Sequence, residues 1–346
     1  MPDAGPSGLQ FPFPDAPSEG EAIEVADGIL WIRLPLPMAL DHVNVFALDD
    51  GDSWTLIDTG FYSKRGVRIW DRLRDGPLAG KPISRVLVTH HHPDHVGMAG
   101  HFQARDGVEL LTSRTAWLMA RMLTLDDQSR PLPETLAFWR SAGMDPEIYA
   151  ERQNERPFNF ADMVHPMPLG FTRLVEGQQI TIGGRTWTIR MGNGHAPEHV
   201  TLWSDDVVIG GDQLISTISP NLGVYATEPE ADPVSDWLVS CERLLTFAND
   251  RQLVLPGHKL PFQGLPFRLE QLIQNHHGAL KRLETYLANP CTAHDCFAPL
   301  FKRPIRAGEY GLALVESVAH LNHLFRVGRA TRTKRADGAW LYQAAS

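Results

Sequence analysis

The chain has 346 residues, 43% of them hydrophobic and 21% charged, with a formal net charge of −9; this is enough to bury a large core in a main domain plus a smaller one. No apolar run approaches the ~20 residues of a membrane span, and three cysteines (Cys241, Cys291 and Cys296) are too few for a disulfide framework. The start, Met1-Pro-Asp-Ala-Gly-Pro6, has neither a basic n-region nor an apolar h-region, so it does not read as a secretory signal and a cytoplasmic protein is expected.

The Pro- and Gly-rich first twenty residues read as an extended lead-in. Short apolar runs follow at 29–32, 43–46 and 54–57, with turns at Gly28, Gly51 and Gly60, and they predict antiparallel strands. A helical pattern covers 65–74. The run Arg85-Val-Leu-Val-Thr89, bounded upstream by Pro82, is short and β-branched and predicts a buried strand. Directly after it stands His90-His91-His92-Pro93-Asp94-His95. Histidines on a loop leaving a strand end are held in place by a rigid sheet. Skipping one residue lets His90 and His92 grip one ion, while Asp94 and His95 turn toward a neighbouring position. Helical character resumes over 95–103.

Residues 112–165 break the strand–helix rhythm with helical patterns at 113–122 and 133–143 and with Trp117, Met119, Met122, Leu123, Phe138, Trp139 and Tyr149. Most of this apolar stripe reads as the packing face of an insert; a lid with an apolar pocket for an acyl chain is the functional alternative. Three further strand-like runs then end in a glycine and a ligand-type side chain. They are 186–190 before Gly194-His195-Ala-Pro-Glu-His199, 207–209 before Gly210-Gly211-Asp212, and 252–255 before Pro256-Gly257-His258. Four strand ends converging on one place predict a metal site within an α/β sandwich, sheets inside and helices outside. Beyond a linker at 261–266, helices are expected at 267–287 and 311–327. A terminal turn, Ala336-Asp-Gly-Ala, then leads into Trp340-Leu-Tyr342.

These motifs resemble those of metallo-β-lactamase-fold hydrolases, most of all the glyoxalase-II-like branch. The pattern His-x-His-x-Asp-His stands as His90, His92, Asp94 and His95. Later positions match His195, Asp212 and His258, and the early strand–turn signature matches Leu56-Ile-Asp58-Thr59-Gly60. The resemblance implies an αββα sandwich carrying two divalent metal ions. One would be held by His90, His92 and His195, the other by Asp94, His95 and His258, with Asp212 bridging. Imidazole and carboxylate ligands suit zinc first, and also iron or manganese. Asp58 fits both a contact to the free N–H of a ligand histidine and a cap on its Asp-Thr-Gly turn. His199 either lines the site or is a core histidine; His42, His91 and His101 are expected to be structural or exposed.

The resemblance divides the chain into a catalytic domain at 1–260, with the helical insert at about 112–165, and a small, mostly helical winged-helix-like domain at 261–346. The latter rests on Glu316, Ala319-His-Leu321, Leu324, Gly328 and Gly338-x-Trp-x-Tyr342. From residue 260 onward, 11 Lys and Arg face 6 Asp and Glu, a net +5 that leaves −14 on the first 259 residues. Arg268, Lys281, Arg282, Lys302, Arg303 and Arg306 could meet the phosphates of a carrier such as CoA, or form a solvated face. Nucleic acid ranks lower, since it would want a denser basic stripe with interleaved aromatics.

Two metals about 3.5–4 Å apart lower the pKa of a shared water to about 7, and the hydroxide then attacks a carbonyl or a phosphorus, with Asp94 orienting it or taking its proton. The expected function is hydrolysis of a thioester or ester of the acyl-CoA or acyl-glutathione type. Lactonase or endoribonuclease/phosphodiesterase activity at the same site is the alternative, and a non-catalytic binder is disfavoured by the filled ligand set. Asn44 and Tyr225 remain open as substrate contacts. Cys291 and Cys296 read as two buried thiols.

Overall fold

Side-chain alternation along one strand shows how the core is laid out. On β3 (His42–Asp49), Val43, Val45 and Ala47 join one apolar cluster, while Phe46 and Leu48 join another. Period-two burial on both faces of a strand requires a layer on each side. The structure, a computed structural model, describes residues 8–345, so the Met1–Pro6 start lies outside the described residues.

Within the first compact unit (to Asp127, Asn159–Pro220 and Leu244–Leu269), a seven-stranded sheet runs in sequence order from β1 (Ile23–Ala26) to β7 (Thr172–Arg173). Between them lie β2 (Ile29–Pro35), β3, β4 (Trp54–Ile57), β5 (Ile83–Leu87) and β6 (Glu109–Thr112). The first four strands are antiparallel, and β4 to β7 are parallel. A five-stranded sheet has the order β12 (Leu253–Pro256), β11 (Val207–Gly211), β10 (His199–Trp203), β9 (Arg185–Gly192) and β8 (Gln179–Ile182). Trp31, Phe46 and Leu87 of the larger sheet and Trp187, Ile189, Leu202 and Leu255 of the smaller one share one buried cluster, the core between the sheets. The larger sheet's other face packs Val43, Val45 and Val86 with Ile69, Trp70 and Leu73 of α1 (Lys64–Asp75) and Phe102 of α3 (Ala99–Asp106). This is the expected α/β metallo-β-lactamase sandwich with mixed sheets.

Sequence expectation and structure differ locally. The helix expected over 95–103 is divided into α2 (Pro93–Val96) and α3. At Gly97 between them, a Cβ would meet the carbonyl oxygens of Pro93 at 2.4 Å and Gly60 at 2.5 Å. The strand β10 has no counterpart among the sequence expectations, because it begins on His199 inside a motif that reads as a loop.

The second unit comprises Gln128–Phe158, Asn221–Arg243 and the chain from Glu270. It holds α5 (Pro133–Ser141), α6 (Pro146–Arg152), most of α7 (Pro233–Leu245) and of α8 (Leu265–Tyr286), then α9 (Phe297–Phe301), α10 (Tyr310–Arg326) and the hairpin β13 (Ala330–Lys334)–β14 (Trp340–Ala344). The C-terminal region is thus mostly helical, as expected. The two units interleave in sequence: α4 (Arg114–Leu125) falls in the first and α5 and α6 in the second. No described helix is long and apolar enough to cross a membrane.

Candidate metal centre

All seven side chains expected at the metal positions come together at strand ends in the first unit. Potential ligand atoms lie within 4.8 Å of one another in each of three groups: His90, His92 and His195; His90, His95 and Asp212; and Asp94, His95 and His258. Asp212 faces both outer groups, with Oδ2 3.4 Å from His195 Nε2 and 3.3 Å from His258 Nε2, and Oδ1 3.4 Å from His95 Nε2. Asp94 Oδ2 lies 3.3 Å from His258 Nε2 and 3.6 Å from His95 Nε2. His90, His95, Asp212 and His258 are buried, whereas His92, Asp94 and His195 are partly exposed and form the open side.

The surrounding hydrogen bonds fix which ring nitrogen faces inward. Thr89 Oγ1 donates to Asp58 Oδ2 at 2.8 Å, so it accepts from His90 Nδ1 at 3.0 Å and leaves the His90 Nε2 lone pair inward. His95 Nδ1 donates to Asp58 Oδ2 at 2.7 Å, and His258 Nδ1 donates to the His42 carbonyl at 2.7 Å. Asp58 also accepts from Thr89 N at 2.8 Å. It therefore serves the cluster as well as its own turn. Such outer contacts set imidazole tautomer and orientation.

The carboxylates and imidazoles of the cluster shift one another's protonation. Burial works against a charged His258, but the Asp212 and Asp94 carboxylates override it and push the imidazole up to about 10. His95 is likewise raised, its burial outweighed by Asp212, Asp94 and Asp58. Burial opposes ionisation of Asp212 too, yet His258 and His95 hold it well below the usual carboxylate range. Burial keeps His90 and His92 neutral.

His95 Nε2 and Asp212 Oδ1 are buried and have no hydrogen-bond partner. Unsatisfied buried polar atoms of this kind are rare without a ligand, and their convergence with four further imidazoles fits a two-ion centre. The backbone leaves room for it. A Cβ on Gly257 would sit 2.3 Å from Asp212 Oδ1, and one on Gly211 would sit 2.6 Å from His199 Cε1.

His199 lies outside the three groups. It is fully buried, stacks on His90 with ring centroids 4.5 Å apart, and its Nε2 accepts from Asp212 N at 3.1 Å. Burial lowers it to about 3, so it acts as a neutral acceptor that holds Asp212. His91 is buried, and His101 is half-buried beside Tyr62 and His165.

His42 and Asn44 carry more weight than the sequence suggests. Asn44 Nδ2 donates to Pro256 O at 3.0 Å and Lys259 O at 2.8 Å, and its main-chain N donates to Gly257 O at 2.7 Å. Lys259 N donates to His42 Nε2 at 2.9 Å, so the proton on that neutral ring, which burial lowers to about 4, sits on Nδ1 and points at Asp41. Together they clamp the 256–259 segment around His258. Of the basic residues considered for phosphate contact, Arg268 is buried and donates to Ile215 O and Ile218 O. Arg282 donates to Pro299 O and Leu300 O, and Arg303 pairs with Glu309. Tyr225 is exposed.

Comparison with known proteins agrees with this geometry. The C-terminal 280–345 matches the metallo-beta-lactamase-like C-terminal domain. A beta-lactamase domain protein from Burkholderia ambifaria is 34% identical, with 97% of this chain and 98% of that one covered and a TM-score of 0.88. A metallo-beta-lactamase family protein from Thermus thermophilus is 25% identical, with 93% and 100% covered and a TM-score of 0.76. The probable metallo-hydrolase YqjP of Bacillus subtilis is 26% identical over 315 residues, 86% of this chain and 92% of that protein. Residues 38–258, well over half the chain and including every residue of the histidine–aspartate cluster, match the metallo-beta-lactamase superfamily, and the chain belongs to that superfamily.

Proposed function

We propose that this protein is a metal-dependent hydrolase that acts on a thioester or related ester of the acyl-CoA or acyl-glutathione kind, as in the glyoxalase-II-like branch. The observation that carries the reading is the linked set of three ligand groups, joined through His90, His95 and Asp212 and open on the side of His92, Asp94 and His195. His90, His92 and His195 would hold one divalent ion and Asp94, His95 and His258 the other, with Asp212 between them; zinc suits these ligands first, then iron or manganese. When bound, such ions polarise a carbonyl oxygen and lower the pKa of water to about 7.

The chain's own residues supply orientation. Burial opposes ionisation of Asp94, but His95 and His258 keep it below the ordinary carboxylate range. At neutral pH it is therefore an ionised acceptor on the open side, suited to orient an attacking water. His199 and Asp58 hold Asp212 and His95 in register.

An acyl substrate is supported by α4. Leu118, Met122 and Leu125, at i, i+4 and i+7, are 51%, 49% and 71% exposed, an apolar helical stripe open to solvent. Thr115 N in the first turn donates to Glu198 at 2.9 Å, which fastens this helix to the loop carrying His195. The −14 charge on the first 259 residues would repel a polyanion.

The test is thiol release from a panel of acyl-CoA and acyl-glutathione thioesters by zinc- or manganese-loaded protein, with Asp94→Asn as the blank. Turnover that disappears in the variant is the expected result. Opening of lactones alone, or cleavage of RNA alone, would overturn the thioester assignment.

A further inference from the structure

The second unit contains a pair of side chains that the hydrolase reading does not use. Cys291 and Cys296 have their Sγ atoms 3.7 Å apart, and both are free thiols. Their settings differ. Cys291 lines an open cavity of about 650 Å³ together with Arg282, Tyr286, Asn289, Asp295 and Pro299, whereas Cys296 is fully buried and outside the lining. A small molecule in the cavity can touch Cys291 first, with Cys296 behind it.

The local backbone suits an exchange between the two sulfurs. Cys291 is fixed by paired main-chain hydrogen bonds with Tyr342, at 3.0 and 2.8 Å. Cys296 ends a short 3-10 turn (His294–Cys296), and its Sγ lies 3.2 Å from Thr292 O. The sulfur–sulfur distance of 3.7 Å has to close to about 2.05 Å for a disulfide to form. The contact with Cys296 lowers the Cys291 thiol below its ordinary range, and the same contact, together with burial, pushes Cys296 up. The reachable sulfur is thus the better thiolate of the two.

We infer that Cys291 and Cys296 form a dithiol–disulfide site that reacts with amino-acid-derived disulfides, such as oxidised glutathione, entering the cavity from solvent. Arg282 and Asp295 on the lining carry charges opposite to the carboxylate and ammonium groups of such a molecule, Arg282 while its Nε and Nη2 hold Pro299 O and Leu300 O and Asp295 while its Oδ2 accepts from Thr292. The Cys291 thiolate attacks one sulfur of the incoming disulfide, that S–S bond breaks, and the first thiol departs. The Cys296 sulfur then attacks Cys291 Sγ in the mixed disulfide; its proton leaves with the second thiol as the internal bond forms. One external disulfide is reduced to two thiols, and the two protein thiols are oxidised. Pairs of this type in a reducing compartment are usually transient and redox-sensing rather than structural.

The experiment uses the full-length reduced protein, incubated with oxidised glutathione, alkylated and digested with trypsin. Peptide 283–302 contains both cysteines and no other. It is expected to lose two hydrogens and escape alkylation, while the peptide holding Cys241 stays reduced. Cys296→Ser should halt at the first step with close to one glutathione per chain on Cys291, and Cys291→Ser should acquire neither modification. The wild-type result does not depend on either variant folding. A wild-type 283–302 peptide that remains fully reduced, or glutathione appearing on Cys296 ahead of Cys291, would overturn the assignment.

Discussion

Asp58→Asn isolates the outer support of the metal centre with little other disturbance. Asp58 is buried at φ +62°, a left-handed conformation that Asn tolerates about as well as Asp, so the backbone should not move. The carboxylate accepts three hydrogen bonds, from Thr89 N, Thr89 Oγ1 and His95 Nδ1, at 2.8, 2.8 and 2.7 Å. An amide has one acceptor oxygen and one donor nitrogen. If the nitrogen replaces Oδ1, it meets the Thr89 N–H head-on and leaves a buried donor unsatisfied. If it replaces Oδ2, it meets the His95 Nδ1 hydrogen. The ring must then shift its proton to Nε2, the atom that faces Asp94 and Asp212. The first orientation costs stability, about 1–3 kcal/mol for an unsatisfied buried group; the second costs metal, about 10–100-fold in affinity. We expect some of each. Urea unfolding of the metal-free protein reads the first, and chelator competition against zinc reads the second. A variant within about 0.5 kcal/mol of wild type, the scatter of neutral substitutions, and with unchanged metal affinity would show that Asp58 only caps its turn.

Asn44→Ala removes the clamp on the 256–259 segment, leaves Pro256 O and the Trp31 Nε1 donor without their partner, and leaves Lys259 O with Arg33 alone. It should cost about 2–4 kcal/mol in urea unfolding and lower metal content by the ion held near His258, as read by elemental analysis. Gly257→Ala drives a Cβ to within 2.3 Å of Asp212 Oδ1 and 2.8 Å of His95 Cε1; metal content should fall below one ion per chain while far-UV circular dichroism is unchanged. Burial pushes the half-buried Glu316 up to about 7 against its Asn221 hydrogen bond. Because its folded value lies above the unfolded one, the native state holds the extra proton, and stability falls as pH rises from about 4.5 to about 7. Glu316→Gln should remove that slope and gain about 1–2 kcal/mol at pH 8 after allowance for solvent screening, measured as urea midpoints across pH.

The ligand set was legible because its logic is local. A strand end, a permissive glycine and a side chain of the right chemistry are all neighbours in sequence, so 90–95, 194–199, 210–212 and 256–258 can be recognised one at a time. What holds them was not legible. His42 and Asn44 lie more than 200 residues before His258, in a run that reads simply as a buried strand, and only strand register brings them beside the 256–259 segment. Thr89 reads as the polar last residue of an apolar strand, yet its hydroxyl links Asp58 to His90. The compact units escape a linear reading for the same reason. Their segments alternate along the chain, so no stretch of unusual composition marks where one gives way to the other.

Backbone strain follows the same geography. Four described non-glycine residues have positive φ, and three adjoin the centre: Asp58 at +62°, Glu198 at +49° and Lys259 at +71°. Each such conformation costs about 1–2 kcal/mol for an L-residue, and it persists only where the surroundings over-determine it. Here they do. Asp58 is held by both Thr89 contacts and His95, and Glu198 by Asn193 Oδ1 on its N–H and Thr115 N on its carboxylate. Lys259 is held by His42 Nε2, Asn44 and Arg33. Each strained residue is either a partner of a cluster residue or one to three positions from one. A relaxed chain would carry these side chains away from the cluster. Of the hydrogen bonds that oppose that relaxation, those on Asp58 also set the His90 and His95 tautomers, and the one from Lys259 N sets that of His42. At Asp58, therefore, the cost of strain and the orientation of two ligand imidazoles have one structural cause.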